Sequence, residues 1–423
     1  MPRLSRLSPL SLPWTTLTLA ARFALPLALW YTLGELLRFL LMYGGYRLAL
    51  TKIGEAVAPI ATLSLLVMLT LCIAVAMMHS VRAGLSAIRA REDDGDLAPW
   101  AVGNDDETIL DAVGRALLPF MIFYLAWGMF RDDAVEFANA ASGRGFAEGG
   151  FEGQLRGLGM LSTLGDHLYI AIGLTAGFFV LKFVCERLLL PRMPRSGGIL
   201  LAYCEVNWAL FGIFTVEAVR GKASGWITNR EGWGWLRDLV GHGLDQWPTF
   251  KFAVLGSLVW LVIAGVILGV DTADEEAALG GSRAGRGLAR ISGIRKERTP
   301  LEVLTRELRE KWLPTWFGFR LVRRAGLLTF GAFCALFTGL DVLEELTGRG
   351  VYVLIGAHDV DWWAIRLTPI DFSVGLVFEA LRICLLAAAF DLVVARVSAR
   401  NAARRADPSA PSSASVRSPV QPT

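Results

Sequence analysis

Residues 59–81 read PIATLSLLVMLTLCIAVAMMHSV, without a single Asp, Glu, Lys or Arg. A helix that crosses the hydrocarbon core of a bilayer needs about 20 mostly apolar residues, and this stretch supplies them in one piece. Residues 251–270, KFAVLGSLVWLVIAGVILGV, form a second such stretch, charged only at its first position. Working outward from these two, similar runs fall at 23–43, 112–130, 168–187, 199–219, 325–345 and 372–395. The expectation is an all-α, polytopic integral membrane bundle of about eight transmembrane helices. Residues 112–130 make the weakest span, because their strongly apolar part is short and holds Pro119. It crosses only if the helix begins near Asp111, with Arg115 reaching back to the headgroups.

Composition agrees. The chain of 423 residues is 54% hydrophobic and 19% charged, with a mean hydropathy of +0.47. Soluble domains carry about 45–50% apolar and about 25% charged residues. A net charge of +3 gives no electrostatic footprint for nucleic acid; the partner implied is the lipid bilayer. Arg far outnumbers Lys and Ala, Gly and Leu are abundant, which points to a GC-rich bacterial genome. Cys72, Cys185, Cys204, Cys334 and Cys384 each lie in an apolar run, with no metal-ligand spacing.

Basic residues set the orientation, since cytoplasmic loops carry the excess of Lys and Arg. Arg3, Arg6 and Arg22 precede the first run; Arg82, Arg89 and Arg91 follow the second; Arg187, Arg192 and Arg195 follow the fourth; Arg396, Arg400, Arg404 and Arg405 follow the last. An even number of spans puts all of these on one side, so both termini are expected in the cytoplasm. The localisation implied is the cell (inner or plasma) membrane, multi-pass. Residues 1–22 read as a cytoplasmic N-terminal segment, not as a cleaved signal, because the apolar run after them is longer than a signal core.

Residues 23–270 then make a six-span region and 325–396 hold the last two spans. Between them, 271–324 form a basic cytoplasmic loop. There Thr299, Pro300 and Glu302 make a capping box with Pro at the first helical position, and Leu301, Leu304, Leu308 and Trp312 follow at helical spacing. This reads as an amphipathic surface helix, 300–312, either an elbow for the next span or a docking site for a protein partner. Two exterior loops stand out: 131–167, rich in Gly, and 221–248, with Trp226, Trp233, Trp235 and Trp247. A loop as long as the first is often functional or disordered, or it dips back into the bundle. Residues 397–423 are expected to form a disordered cytoplasmic tail.

Charges inside the spans carry the functional reading, since each costs roughly 2.5–3.5 kcal/mol to insert. Glu35 and Arg38 sit three apart in the first span, Glu379 and Arg382 three apart in the last. At about 1.5 Å rise per residue the two pairs fall at similar depth, so Glu35 is expected beside Arg382 and Glu379 beside Arg38. Such a cluster serves either as a clasp or as part of an ion or proton path. Lys182 and Glu186 can pair within one span, and Glu205 of the next can meet Lys182 instead. Asp341 lies near an outer end and reads as facing water, as do the exterior carboxylates Asp132, Asp133, Glu136, Glu148 and Glu152.

Catalytic signatures are missing: no HExxH, no GxSxG elbow, no P-loop. No cofactor and no metal site is indicated, and an enzyme is the less favoured class. The leading expectation is a transporter or permease-like component for a small solute or ion. The alternatives are a non-enzymatic assembly protein of the cell envelope and a membrane enzyme acting on a lipid-linked substrate.

Overall fold

A computed structural model describes residues 8–51, 54–86, 120, 124, 129–159, 168–189, 200–201, 203–212, 215, 251–268 and 326–406. Among these the chain is almost wholly helical and has no strand. The helices are α1 (Leu12–Arg22), α2 (Ala24–Ala49), α3 (Gly54–Arg82), α4 (Met129–Gly159), α5 (Leu168–Val184), α6 (Ser257–Leu268), α7 (Leu327–Ile355) and α8 (Val360–Ala406). Three of them are long and apolar enough to cross a membrane: α2, the Ala61–Arg82 part of α3, and α7. A shorter apolar helix runs over Ala253–Leu268. The surface helix 300–312, the Trp-rich loop and most of 112–130 lie outside the described residues.

The core forms where α3, α6 and α8 meet. Val67, Leu71 and Val75 interlock with Leu261, Ala264 and Leu268 and with Ile383, Ala387 and Phe390. The outer face of α2 is the opposite case. Leu25, Leu29, Leu33, Leu36 and Leu40 form an exposed stripe, three or four residues apart along one side of the helix. Water-facing surfaces rarely carry so long an apolar strip; acyl chains cover it readily.

Close approach of α6 to α8 depends on Gly265. A Cβ there would come within 2.8 Å of Phe390 Cε2, and the Phe390 ring is fully buried. Gly265→Leu is therefore expected to cost about 1–3 kcal/mol, the range for overpacking a core. Thermal unfolding in detergent reads this as a fall in Tm; an unchanged Tm would contradict the packing.

Three regions differ from the expectation. Residues 12–22 are a helix packed along α8, not a bare segment: Leu12, Thr16 and Leu19 are buried at helical spacing. Residues 131–159 of the expected exterior loop are helix, because α4 folds back on itself at Gly149 and Gly150. Gly150 takes φ +60°, which side chains other than Gly rarely adopt. The returning arm packs so tightly that a Cβ on Gly145 or Gly153 would run into the other arm's backbone. Gly145, Gly153 and Gly157, which suggest a loop, are thus contact residues, as in small-residue helix packing. Finally, α8 continues to Ala406 through Ala- and Arg-rich sequence of high helix propensity, so the tail is ordered at least that far.

Candidate functional site

A cavity of about 460 Å³ lies between α2, α3, α7 and α8, with Asp132 of α4 and Trp260 of α6 at its edge. Its charged walls are Glu35 and Arg38 from α2, Asp132, Asp341 and Glu344 from α7's side and α4, and Glu379 and Arg382 from α8. Tyr31, Thr70, Met77, Trp260 and Phe337 are among its other lining residues. Tyr31 braces the α8 wall: its ring lies 5.3 Å from that of Phe372, and its hydroxyl occupies the space a side chain on Gly375 would need.

All four residues of the first and last spans that the sequence singled out do meet here. Their pairing is not the crossed one. Arg38 binds Asp133 and Glu136 of α4, with Nε 3.3 Å from Glu136 Oε1. Arg382 binds its own Glu379 and reaches across to α7, 3.0 Å from Asp341 and 2.7 Å from Glu344. The two Glu-x-x-Arg pairs line one cavity, but the depth argument ignored the helices beside each arginine, whose carboxylates are the nearer partners. Asp341, Asp133 and Glu136 accordingly are not simply solvated.

The two arrangements repeat one pattern. Each arginine ends a Glu-x-x-Arg segment, and each faces an Asp-x-x-Glu segment: Asp133 with Glu136, and Asp341 with Glu344. Three-residue spacing puts both acids of each pair on one helix face, so one guanidinium can bridge them. This spacing was present in the sequence as the only signal for the partners.

α4 is held to α2 by more than its acids. The Arg144 guanidinium lies 5.3 Å from the Phe39 ring and 5.2 Å from that of Tyr43, and the Tyr46 hydroxyl donates to Glu148 at 3.2 Å. Burial pushes the Asp133 carboxyl above its ordinary range, against the pull of Arg38. Its Oδ2 is buried with no hydrogen-bond partner among the described residues. Glu35 lines the cavity and makes no ion pair with a described residue.

Lys182 and Glu205 stand apart from the cavity. They pair at 3.5 Å, each about nine-tenths buried, which is the inter-span contact expected for Glu205. Glu186 is exposed on the π-helical turn Cys185–Leu189. Exchanging a buried pair for apolar groups is often neutral, so the double variant Lys182→Met, Glu205→Met is expected to shift stability by less than about 1 kcal/mol. A loss of several degrees in Tm would show that the pair carries more than local packing.

Among the described residues, no group of three or more His, Cys, Asp or Glu side chains is placed to hold a metal ion. Comparison with family models, with curated proteins and with solved structures gave no match, so function has to be argued from the cavity itself.

Proposed function

We propose that this chain is a multi-pass protein of the cell membrane that binds a small solute in the cavity between α2, α3, α7 and α8 and moves it across the bilayer. The observation that carries this reading is the cavity: two of the three membrane-length helices that line it, α2 and α7, place charged side chains on it. Charge at that position is expensive in lipid and marks solute or ion pathways. Its volume falls in the range of about 300–1,000 Å³ that small-molecule sites occupy.

The proposal includes eight spans with both ends in the cytoplasm. In that topology α2 and α7 run outward, α8 runs back, and the cavity opens in the outer half of the bundle. The first arm of α4 supports this. Its residues 133, 144 and 148 meet α2 at 38, 43 and 46 in increasing order. The arm therefore runs parallel to α2, as it does if residues 112–130 also run outward.

An enzyme on the exterior face is less favoured, because Asp133 and Glu136 are held by Arg38 and Glu148 by Tyr46. General acid–base work needs carboxyl groups free to exchange protons with substrate. The test is uptake by liposomes containing the purified protein, using a panel of amines, amino acids, sugars, carboxylates and inorganic ions. Saturable uptake of one class, weakened in Glu35→Gln, is expected. Absence of uptake across the panel by folded protein would contradict transport, and a stoichiometric co-purifying protein would then favour the assembly role.

A further inference from the structure

We propose that the cavity takes an organic cation, an amine or quaternary ammonium with an apolar body. The inference rests on the transport reading and names its substrate class.

Charge balance comes first. Five carboxylates line the cavity against two guanidiniums, and Asp133 and Glu136 stand behind Arg38. Attraction and repulsion between charges grow several-fold as the dielectric falls. An anion would meet a net negative wall, and a neutral solute would leave the imbalance in place. A cation offsets it.

Size and walls then choose among cations. The cavity, about 460 Å³, is more than tenfold larger than the roughly 30 Å³ of a water molecule, so a bare inorganic ion would leave it mostly empty. The carboxylates are spread along separate helices and do not converge as metal ligands among the described residues. Between them lie Tyr31, Trp260 and Phe337, rings whose faces attract ammonium groups within about 6 Å. Carboxylate for the charge and aromatic wall for the body is the complement of an organic ammonium.

Glu35 is the carboxylate best placed to receive that charge. Arg38 and Arg382 already engage the acids on α4, α7 and α8, whereas Glu35 lines the cavity without an ion pair to a described residue.

The test measures binding of three probes to the full chain in lipid nanodiscs: tetraethylammonium, benzoate and glucose, with liposome flux of each in parallel. Tetraethylammonium is expected to bind saturably and at least tenfold more tightly than the other two. Glu35→Gln breaks no ion pair among the described residues, so its Tm should stay that of the wild type while its tetraethylammonium affinity falls at least tenfold. Undiminished affinity in both Glu35→Gln and Asp341→Asn would overturn the assignment to this cavity. Binding or flux of benzoate or glucose without tetraethylammonium would overturn the cation class and leave transport standing. No binding and no flux of any probe by protein of native Tm would overturn both.

Discussion

Arg382→Ala is expected to destabilise the folded chain by about 3 kcal/mol, at the lower end of the range for breaking a buried pair. The reason is what it leaves behind. Glu379, Asp341 and Glu344 converge on this one guanidinium, and without it three carboxylates face each other on two helices that must stay packed. The α7 and α8 acids keep some exposure to the cavity, which moderates the loss. Thermal unfolding in detergent should show it as a large fall in Tm. The exchange Arg382→Glu with Glu344→Arg keeps the charge total and is expected to recover part of the stability, whereas Arg382→Glu with Glu35→Arg is not, since Glu35 is not the partner. Equal rescue by both would contradict the pairing.

Arg38→Ala is expected to undock α4 rather than to weaken the whole bundle. α4 is polar for much of its length and shares little of the main core. Its hold on α2 combines the bridge to Asp133 and Glu136, the Arg144 contacts and the Tyr46–Glu148 bond with small apolar clusters around Phe137 and Ala141. Removing Arg38 leaves Asp133, a buried carboxylate, without its cation, at a cost of about 3 kcal/mol. Hydrogen exchange should rise at least tenfold over 129–159 while α3, α6 and α8 keep their protection. Uniform loosening of all helices would instead make Arg38 a core clasp.

How far the sequence carries can be read from these two sites. Apolar length alone marks α2, α3 and α7, because the bilayer demands it. The Glu-x-x-Arg spacing in α2 and α8 marks the two arginines of the cavity, because charge in a span needs partners. The partners were harder. Asp341 and Glu344 sit near the end of an apolar run, and Asp133 and Glu136 lie in a region whose many glycines suggest a loop. Gly145 on one arm and Gly153 and Gly157 on the other stand where the two arms touch, and Gly149 and Gly150 form the turn between them. Read that way, the region folds as a helical hairpin and its acids come into range. Which carboxylate each arginine binds depends on how helices sit side by side, and spacing along one chain segment does not contain that.

The α1 helix and the ordered start of the tail follow a similar rule. Leu12, Thr16 and Leu19 already carried the helical period, but a basic flank next to a long apolar run draws attention to topology and away from packing. In the tail, Ala and Arg favour helix even without a buried stripe, and α8 simply continues through them.

The measurement that bears most directly on the account is thiol labelling of the cavity in native membranes. With Cys72, Cys185, Cys204, Cys334 and Cys384 replaced by alanine, Thr70→Cys places one thiol in the cavity wall and Leu36→Cys places one on the exposed apolar stripe of α2. A cavity that water reaches and cations prefer should let a trimethylammonium methanethiosulfonate label Thr70→Cys at least tenfold faster than the sulfonate reagent of similar size, with Leu36→Cys labelled by neither. Equal rates, a faster anionic reagent, or no labelling at Thr70→Cys would contradict the account.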